Sequence, residues 1–251
     1  MPLDHFLSLA ELPAGAMQDL LDLSEDVKRH PARFRGALAD RTLAMLFEKS
    51  STRTRVSFEV AMLELGGHAL FLGRQELQLA RGETLADTAR VLSRYCDAVL
   101  ARTYAHSAVL ALADHGSVPV MNGLTDRHHP CQALADFFTI REHFGTLDGV
   151  KVCYLGDGNN VAHSLMEAAA LLGVPIAVVT PSRYRPDPEI VDWVRGELGS
   201  RLTVTADPGE GLADAHAVYT DVWVSMGQEE EAAARRRAFE PYRVDAGAMA
   251  T

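Results

Sequence analysis

A chain of 251 residues, 47% hydrophobic and 23% charged, can bury a core and is long enough for one large or two ordinary domains, which excludes disorder as its main state. Lys and Arg number 24 against 34 Asp and Glu, a net charge of −10, so the broad basic footprint needed for nonspecific binding to nucleic acid or anionic lipid is missing. No apolar run reaches the roughly 18 to 20 residues of a membrane helix, and Asp4, His5 and Glu11 fall where a signal peptide needs a basic start and an apolar centre, so a cytoplasmic protein with neither nucleic-acid nor membrane partners is expected.

In chain order, strand-like apolar runs are predicted at 42–47, 68–72, 98–101 and 118–121, separated by helical patterning or Gly/Pro punctuation. Between Arg55 and Leu65, the residues Val56, Val60 and Leu63, with Phe58, Met62 and Leu65 beside them, form a wide helical stripe stopped by Gly66-Gly67; this helix is predicted to begin right after the Ser/Thr/Arg cluster. A further helix starts near Gln132. The pattern then restarts after Gly149, with strands at 150–155, 176–179, 202–205 and 217–220 and helices at 161–172, stopped by Gly173, and 189–198. The charged block of Glu229–Glu231 and Arg235–Arg237 reads as a solvated helix face. Two successive βα series predict an α/β fold of two doubly wound parallel-sheet domains, 1–145 and 146–251, with ligands beyond the carboxyl ends of the strands. The cysteines, Cys96, Cys131 and Cys153, are odd in number and lack C-x-x-C spacing, which suggests neither a disulfide framework nor a structural zinc site.

The first strand runs into Glu48-Lys49-Ser50-Ser51-Thr52-Arg53-Thr54-Arg55 and then the helix, so hydroxyls, guanidinium groups and free backbone N–H groups surround one helix N-terminus, a geometry that binds phosphate without a metal. An ordinary capped helix with surface arginines is the plainer alternative, but Arg53 and Arg55 in a first turn oppose the helix dipole unless an anion is present. Arg102 ends the third strand, where ligands gather, although an edge arginine paired with a surface carboxylate would look the same. In His128-His129-Pro130-Cys131-Gln132, a thiol pair of Cys131 with His129 and a metal site of His128, His129 and Cys131 both rank low, because neighbours on an irregular turn rarely aim at one point. Gly156-Asp157-Gly158-Asn159-Asn160 resembles a dinucleotide-binding turn but lacks its third glycine, and Asn159 suits a helix cap. Asp221-Val-Trp223-Val-Ser225-Met226-Gly227 follows the last strand; taken alone it is an N-capped turn before a Glu-rich helix.

The run Phe47-Glu-Lys-Ser-Ser51-Thr-Arg-Thr-Arg55-Val-Ser-Phe-Glu59 resembles the carbamoyl-phosphate signature of the aspartate/ornithine carbamoyltransferases. The resemblance implies that Ser51, Thr52, Arg53, Thr54, Arg55, Arg102, His129 and Gln132 bind carbamoyl phosphate, with Gln78 reaching in from a neighbouring subunit. Without the resemblance, Gln78 belongs to a polar loop that enters a helix through Thr84 and Asp87. His129 would donate to the carbamoyl oxygen and Gln132 recognise its NH₂, with Arg53, Thr54, Arg102 and His129 as the catalytic groups. Gly-Asp-Gly-Asn-Asn and the Asp221 loop are similar to the ornithine enzymes, which implies that Asn160, Asp221, Ser225 and Met226 hold the amino acid, Trp223 and Met226 lining its aliphatic stem; the aspartate enzymes carry an arginine-bearing pattern there. The implied reaction moves the carbamoyl group to the δ-amine of L-ornithine, giving L-citrulline and phosphate, with no cofactor or metal, in a homotrimer or a multiple of one. Rival expectations are a carbamoyltransferase for putrescine or an acylated ornithine, and a non-catalytic carbamoyl-phosphate-binding protein. Relatives are expected to continue beyond Thr251 with a His-Cys-Leu-Pro strand, an arginine and a final helix, so the second domain is expected to be incomplete and residues 1–251 alone to bind carbamoyl phosphate while making little citrulline.

Overall fold

The computed structural model describes residues 4–75, 77–78, 82–225 and 228–250. They form two compact units, Met1–Cys131 and Gln132–Thr251. In the first, β1 (Thr42–Phe47), β2 (His68–Gly73), β3 (Ala98–Arg102) and β4 (Val120–Leu124) pair in parallel in the order β2-β1-β3-β4. The chain leaves β1 for one side and returns on the other, so the switch point lies between the carboxyl ends of β1 and β3, where Phe47 pairs with Arg102.

Strand alternation explains the layers. Leu43, Met45 and Phe47 of β1 pack with Leu100, Phe58 and Met62 on one face, whereas Ala44 and Leu46 meet Ala89, Val109 and Leu112 on the other. Helix α2 (Thr52–Glu64) therefore covers one face, and α3 (Leu85–Tyr95) and α4 (His106–His115) cover the other. An earlier helix, α1 (Ala16–Arg29), precedes the sheet.

In α2 the structure corrects two expectations. The helix starts at Thr52, inside the Ser/Thr/Arg cluster, because Ser51 supplies the N-cap. Its apolar stripe does not all face the sheet: Met62 is buried, but Val56, Val60 and Leu63 are 50%, 44% and 73% exposed. The three stand at i, i+4 and i+7, on a side that the sheet does not reach.

The second unit repeats the plan. It opens with α5 (Pro130–Phe144), which begins two residues earlier than expected, in the last residues of the first unit. Strands β5 (Val152–Leu155), β6 (Ile176–Val179), β7 (Leu202–Thr205) and β8 (Ala217–Thr220) then pair in parallel as β7-β6-β5-β8, with the switch point between β5 and β8. Helix α6 (Asn160–Leu172) is buried over most of its length and ends at Gly173, whose φ of 67° is the left-handed stop a glycine permits. Helices α7 (Pro188–Leu198), α8 (Pro208–Leu212) and α9 (Ala232–Phe239) complete the unit. Both sheets thus bear out the doubly wound α/β expectation. Among the described residues no helix is long and apolar enough to cross a membrane.

Candidate active site

At the first switch point, Ser51 accepts the Thr54 N–H at 3.3 Å and donates its own hydroxyl to Thr54 Oγ1 at 3.0 Å. This cap leaves Thr52 and Arg53 exposed on a first turn that holds no acidic residue. A cation at the positive end of a helix is unfavourable by a few tenths to about 1 kcal/mol unless an anion joins it. Arg55 has other partners: its Nε donates to Glu59 at 2.9 Å, and its guanidinium lies 3.8 Å from the Phe71 ring centroid.

Arg102 is the more telling residue. It is only 7% exposed; among the described residues its guanidinium makes one hydrogen bond, a 3.5 Å contact from Nη1 to Gly123 O, and its buried Nε has no acceptor. Burial first, and the nearby Arg53 second, lower its pKa. An edge arginine paired with a carboxylate is therefore not what the structure contains. A buried, uncompensated guanidinium costs several kcal/mol, and an anion would remove that cost.

His129 lies beside Arg102; burial, then the Arg102 charge, holds its pKa down to about 4, so the imidazole is neutral near pH 7 and can donate a hydrogen bond without being an acid. The unfolded chain takes up this proton below about pH 6.5, so folding free energy is lost as the pH falls from there to about 4. His129→Gln should flatten the fall in Tm between about pH 7 and about pH 5, and an unchanged slope would contradict the assignment.

The neighbours of His129 have local tasks. His128 donates its N–H to Thr125 Oγ1 at 3.1 Å, and its ring packs edge-on to His106 with centroids 4.8 Å apart. Cys131 donates its thiol to Asn122 O at 3.4 Å, and burial pushes its pKa up to about 12. A thiol at 12 beside an imidazole at 4 does not form the ion pair of a nucleophilic cysteine. Gln132, in the first turn of α5, donates Nε2 to Asp136 Oδ1 at 2.9 Å. Gln78 is exposed, and its carbonyl accepts the Glu83 N–H at 3.2 Å.

The second unit's switch point gathers the other set. Asn159 is the N-cap of α6, accepting from Val161 N and Ala162 N at 3.0 and 3.2 Å, and its Nδ2 donates to Asp221 Oδ2 at 3.2 Å. Asn160 follows as the first helical residue. Gly158 is obligatory, since a Cβ there would fall 2.2 Å from Pro186 N. After β8, Asp221 Oδ1 accepts the Val222 N–H at 2.7 Å, and Ser225 donates its N–H to Gln228 Oε1 at 3.1 Å. Met226 lies outside the described residues. Asp136, Asp157 and Asp221 interact electrostatically around Tyr154 and Tyr219: burial is the leading cause that raises Asp136 and Asp157, and Asp221 raises both further. Such a cluster favours a cationic ligand.

The sequence reading missed Arg235. Taken as part of a solvated face, it is 4% exposed; it pairs with Asp157, donates Nε to Trp223 O at 2.6 Å, and lies 4.7 Å from the Tyr184 ring centroid. One guanidinium therefore ties the Gly156 turn to the Asp221 loop, and a helical wheel of three arginines gives no sign of which one turns inward. Arg235→Leu leaves Asp157 buried without its counter-ion and should cost about 3 to 5 kcal/mol in denaturant unfolding. A loss below about 1 kcal/mol would show that the pair contributes little.

Residues 4–142 match the carbamoyl-P binding domain of the aspartate/ornithine carbamoyltransferases, and residues 148–251 match their Asp/Orn binding domain. The chain is 58% identical to an ornithine carbamoyltransferase of Pyrococcus horikoshii over 211 residues, 83% of this chain and 67% of the relative. It is 52% identical to one from Anoxybacillus flavithermus over 246 residues, 96% of this chain and 78% of the relative. Among solved structures, the ornithine carbamoyltransferase of Pyrococcus furiosus superposes with a TM-score of 0.92 at 50% identity, covering 97% of this chain and 80% of that one. The anabolic enzyme of Campylobacter jejuni gives 0.93 at 39% identity, covering 99% and 82%. With both domain profiles matched in order across nearly its whole length, the chain belongs to the aspartate/ornithine carbamoyltransferase family.

Proposed function

We propose that the protein transfers the carbamoyl group of carbamoyl phosphate to the δ-amine of L-ornithine, giving L-citrulline and phosphate. The observation that carries the first half is the buried, unpaired Arg102 beside Arg53 and the neutral His129. The second half rests on the carboxylate-rich switch point of the second unit and on relatives named ornithine carbamoyltransferase.

In this reading Ser51, Thr52, Arg53, Thr54 and Arg55 hold the phosphate, with Arg102, His129 and Gln132 around the carbamoyl group; Asn160, Asp221, Ser225 and Met226 hold ornithine. The neutral δ-amine attacks the carbamoyl carbon and forms the C–N bond. Arg53, Thr54, Arg102 and the His129 N–H stabilise the oxyanion; the C–O bond to phosphate then breaks, and the departing phosphate takes the proton that the amine sheds. Residues 1–145 serve the first substrate and 146–251 the second. A cytoplasmic site of action fits three free cysteines.

The reaction is tested by incubating the protein, and a version extended with a relative's C-terminal segment, with carbamoyl phosphate and L-ornithine, putrescine or Nα-acetylornithine. Citrulline and phosphate in equal amounts from L-ornithine alone are expected. Citrulline from neither form, or faster transfer to another amine, would contradict the reading.

The active assembly is a homotrimer or a multiple of one, with Gln78 offered to a neighbouring subunit's site. The exposed Val56, Val60 and Leu63 of α2 support an apolar contact between copies. Mixing Arg53→Ala with Gln78→Ala chains should restore activity in hybrid sites. No recovery despite demonstrated subunit exchange would argue that each site is built from one chain.

A further inference from the structure

Asp136 stands one turn after Gln132 on α5 and takes Gln132 Nε2 on Oδ1 at 2.9 Å. The Tyr219 phenol is an electrostatic neighbour of the same carboxyl group. Its other oxygen, Oδ2, is buried with no partner among the described residues. A carboxylate can only accept, so it dictates which end of the neighbouring amide faces it. With the NH₂ of Gln132 held on Asp136, the amide oxygen is turned the other way; a flipped amide would set two acceptors against each other in a part-buried place. A carbamoyl group differs from an acetyl group of the same shape by one NH₂, a donor that an amide oxygen can read and an amide NH₂ cannot.

We propose that Asp136 is a positioning residue: by fixing the Gln132 amide with its oxygen free, it makes Gln132 a selector for carbamoyl over acyl phosphates. The inference rests on the proposed carbamoyl-phosphate site and adds to it a residue that never touches the ligand. It accounts for a part-buried carboxylate, one oxygen of which is fully buried, beside a residue that reads an anion, where charge alone would disfavour one.

The test compares carbamoyl phosphate, acetyl phosphate and inorganic phosphate by calorimetric titration of the wild type, Asp136→Leu and Asp136→Asn. The wild type should prefer carbamoyl over acetyl phosphate. Asp136→Leu should lose roughly fivefold to thirtyfold of that preference while inorganic phosphate binds as before, the effect of freeing one oriented hydrogen bond. Asp136→Asn keeps an acceptor oxygen and should restore most of the preference. Preference retained in folded Asp136→Leu, or equal loss for all three ligands, would overturn the proposal. A wild type that binds none of the three overturns the site reading along with it; one that binds all three without preference overturns only the selector.

If Asp136→Leu does not fold, the wild type itself decides. The side-chain amide signals of Gln132, assigned by their disappearance in Gln132→Met, should stay in place when carbamoyl phosphate replaces inorganic phosphate, because the NH₂ remains on Asp136. A large shift specific to carbamoyl phosphate would mean that the NH₂ faces the ligand, and would overturn the assignment.

Discussion

Replacing Arg102 by methionine should make the ligand-free protein more stable and leave it unable to hold carbamoyl phosphate. The two effects have one cause. Arg102 closes β3 with its guanidinium buried; among the described residues that guanidinium has one 3.5 Å hydrogen bond, an unsatisfied Nε and a second cation, Arg53, nearby. Removing an uncompensated buried charge in favour of an apolar side chain of similar length should raise stability by about 1 to 3 kcal/mol, against the usual direction of core substitutions. The same change deletes the group that the proposed function pairs with a phosphate-bearing substrate. A lower Tm would show that Arg102 is satisfied in a way its surroundings do not reveal, and unaltered carbamoyl-phosphate binding would show that the cradle works without it.

Arg53→Ala should cost turnover more than any other single truncation in the first unit. The side chain projects from the first turn of α2, exposed, with no acidic residue in that turn to hold it, and its charge is felt by Arg102. In the proposed reaction it meets both the leaving phosphate and the oxygen on which negative charge develops. Loss of one such donor from a preorganised oxyanion site is worth about 2.7 to 4 kcal/mol, or roughly 10²- to 10³-fold in kcat. Because bound phosphate would also lose a charged hydrogen bond of about 1.5 to 3 kcal/mol, kcat/KM should fall further than kcat. Steady-state kinetics near the wild-type values would remove Arg53 from the reaction. Stability should hardly change, since an exposed arginine leaves no hole.

Much of the architecture was legible because strand runs of Val, Leu, Ala and Ile stand between clear helix stops such as Gly66-Gly67 and Gly173. Placing the Ser51 cluster, Arg102, the Gly156 turn and Asp221 at carboxyl strand ends needed only that alternation, and the two switch points fall beside them. What stayed hidden depended on direction rather than on residue type. A helix apolar on two sides does not announce which side meets the sheet, so the stripe gave no sign that Val56, Val60 and Leu63 lie on the surface. Arg235 read as solvated because its partners, Asp157 and Trp223, are distant in the sequence. The Gln132–Asp136 pair carries the i, i+4 spacing of an ordinary helix-surface hydrogen bond, and only its partial burial, with Asp136 Oδ2 out of reach of solvent, separates it from one.

The proposed function gives Arg53 and Arg102 of the first unit one task, to hold carbamoyl phosphate. Calorimetric titration of the purified protein with carbamoyl phosphate alone addresses it most directly. One molecule should bind per chain, be displaced by inorganic phosphate, and bind more weakly as salt rises, since screening weakens charge pairing. A folded protein that takes up no carbamoyl phosphate, or takes it up without competition from inorganic phosphate, would contradict the assignment of Arg53, Arg102 and His129 to that substrate.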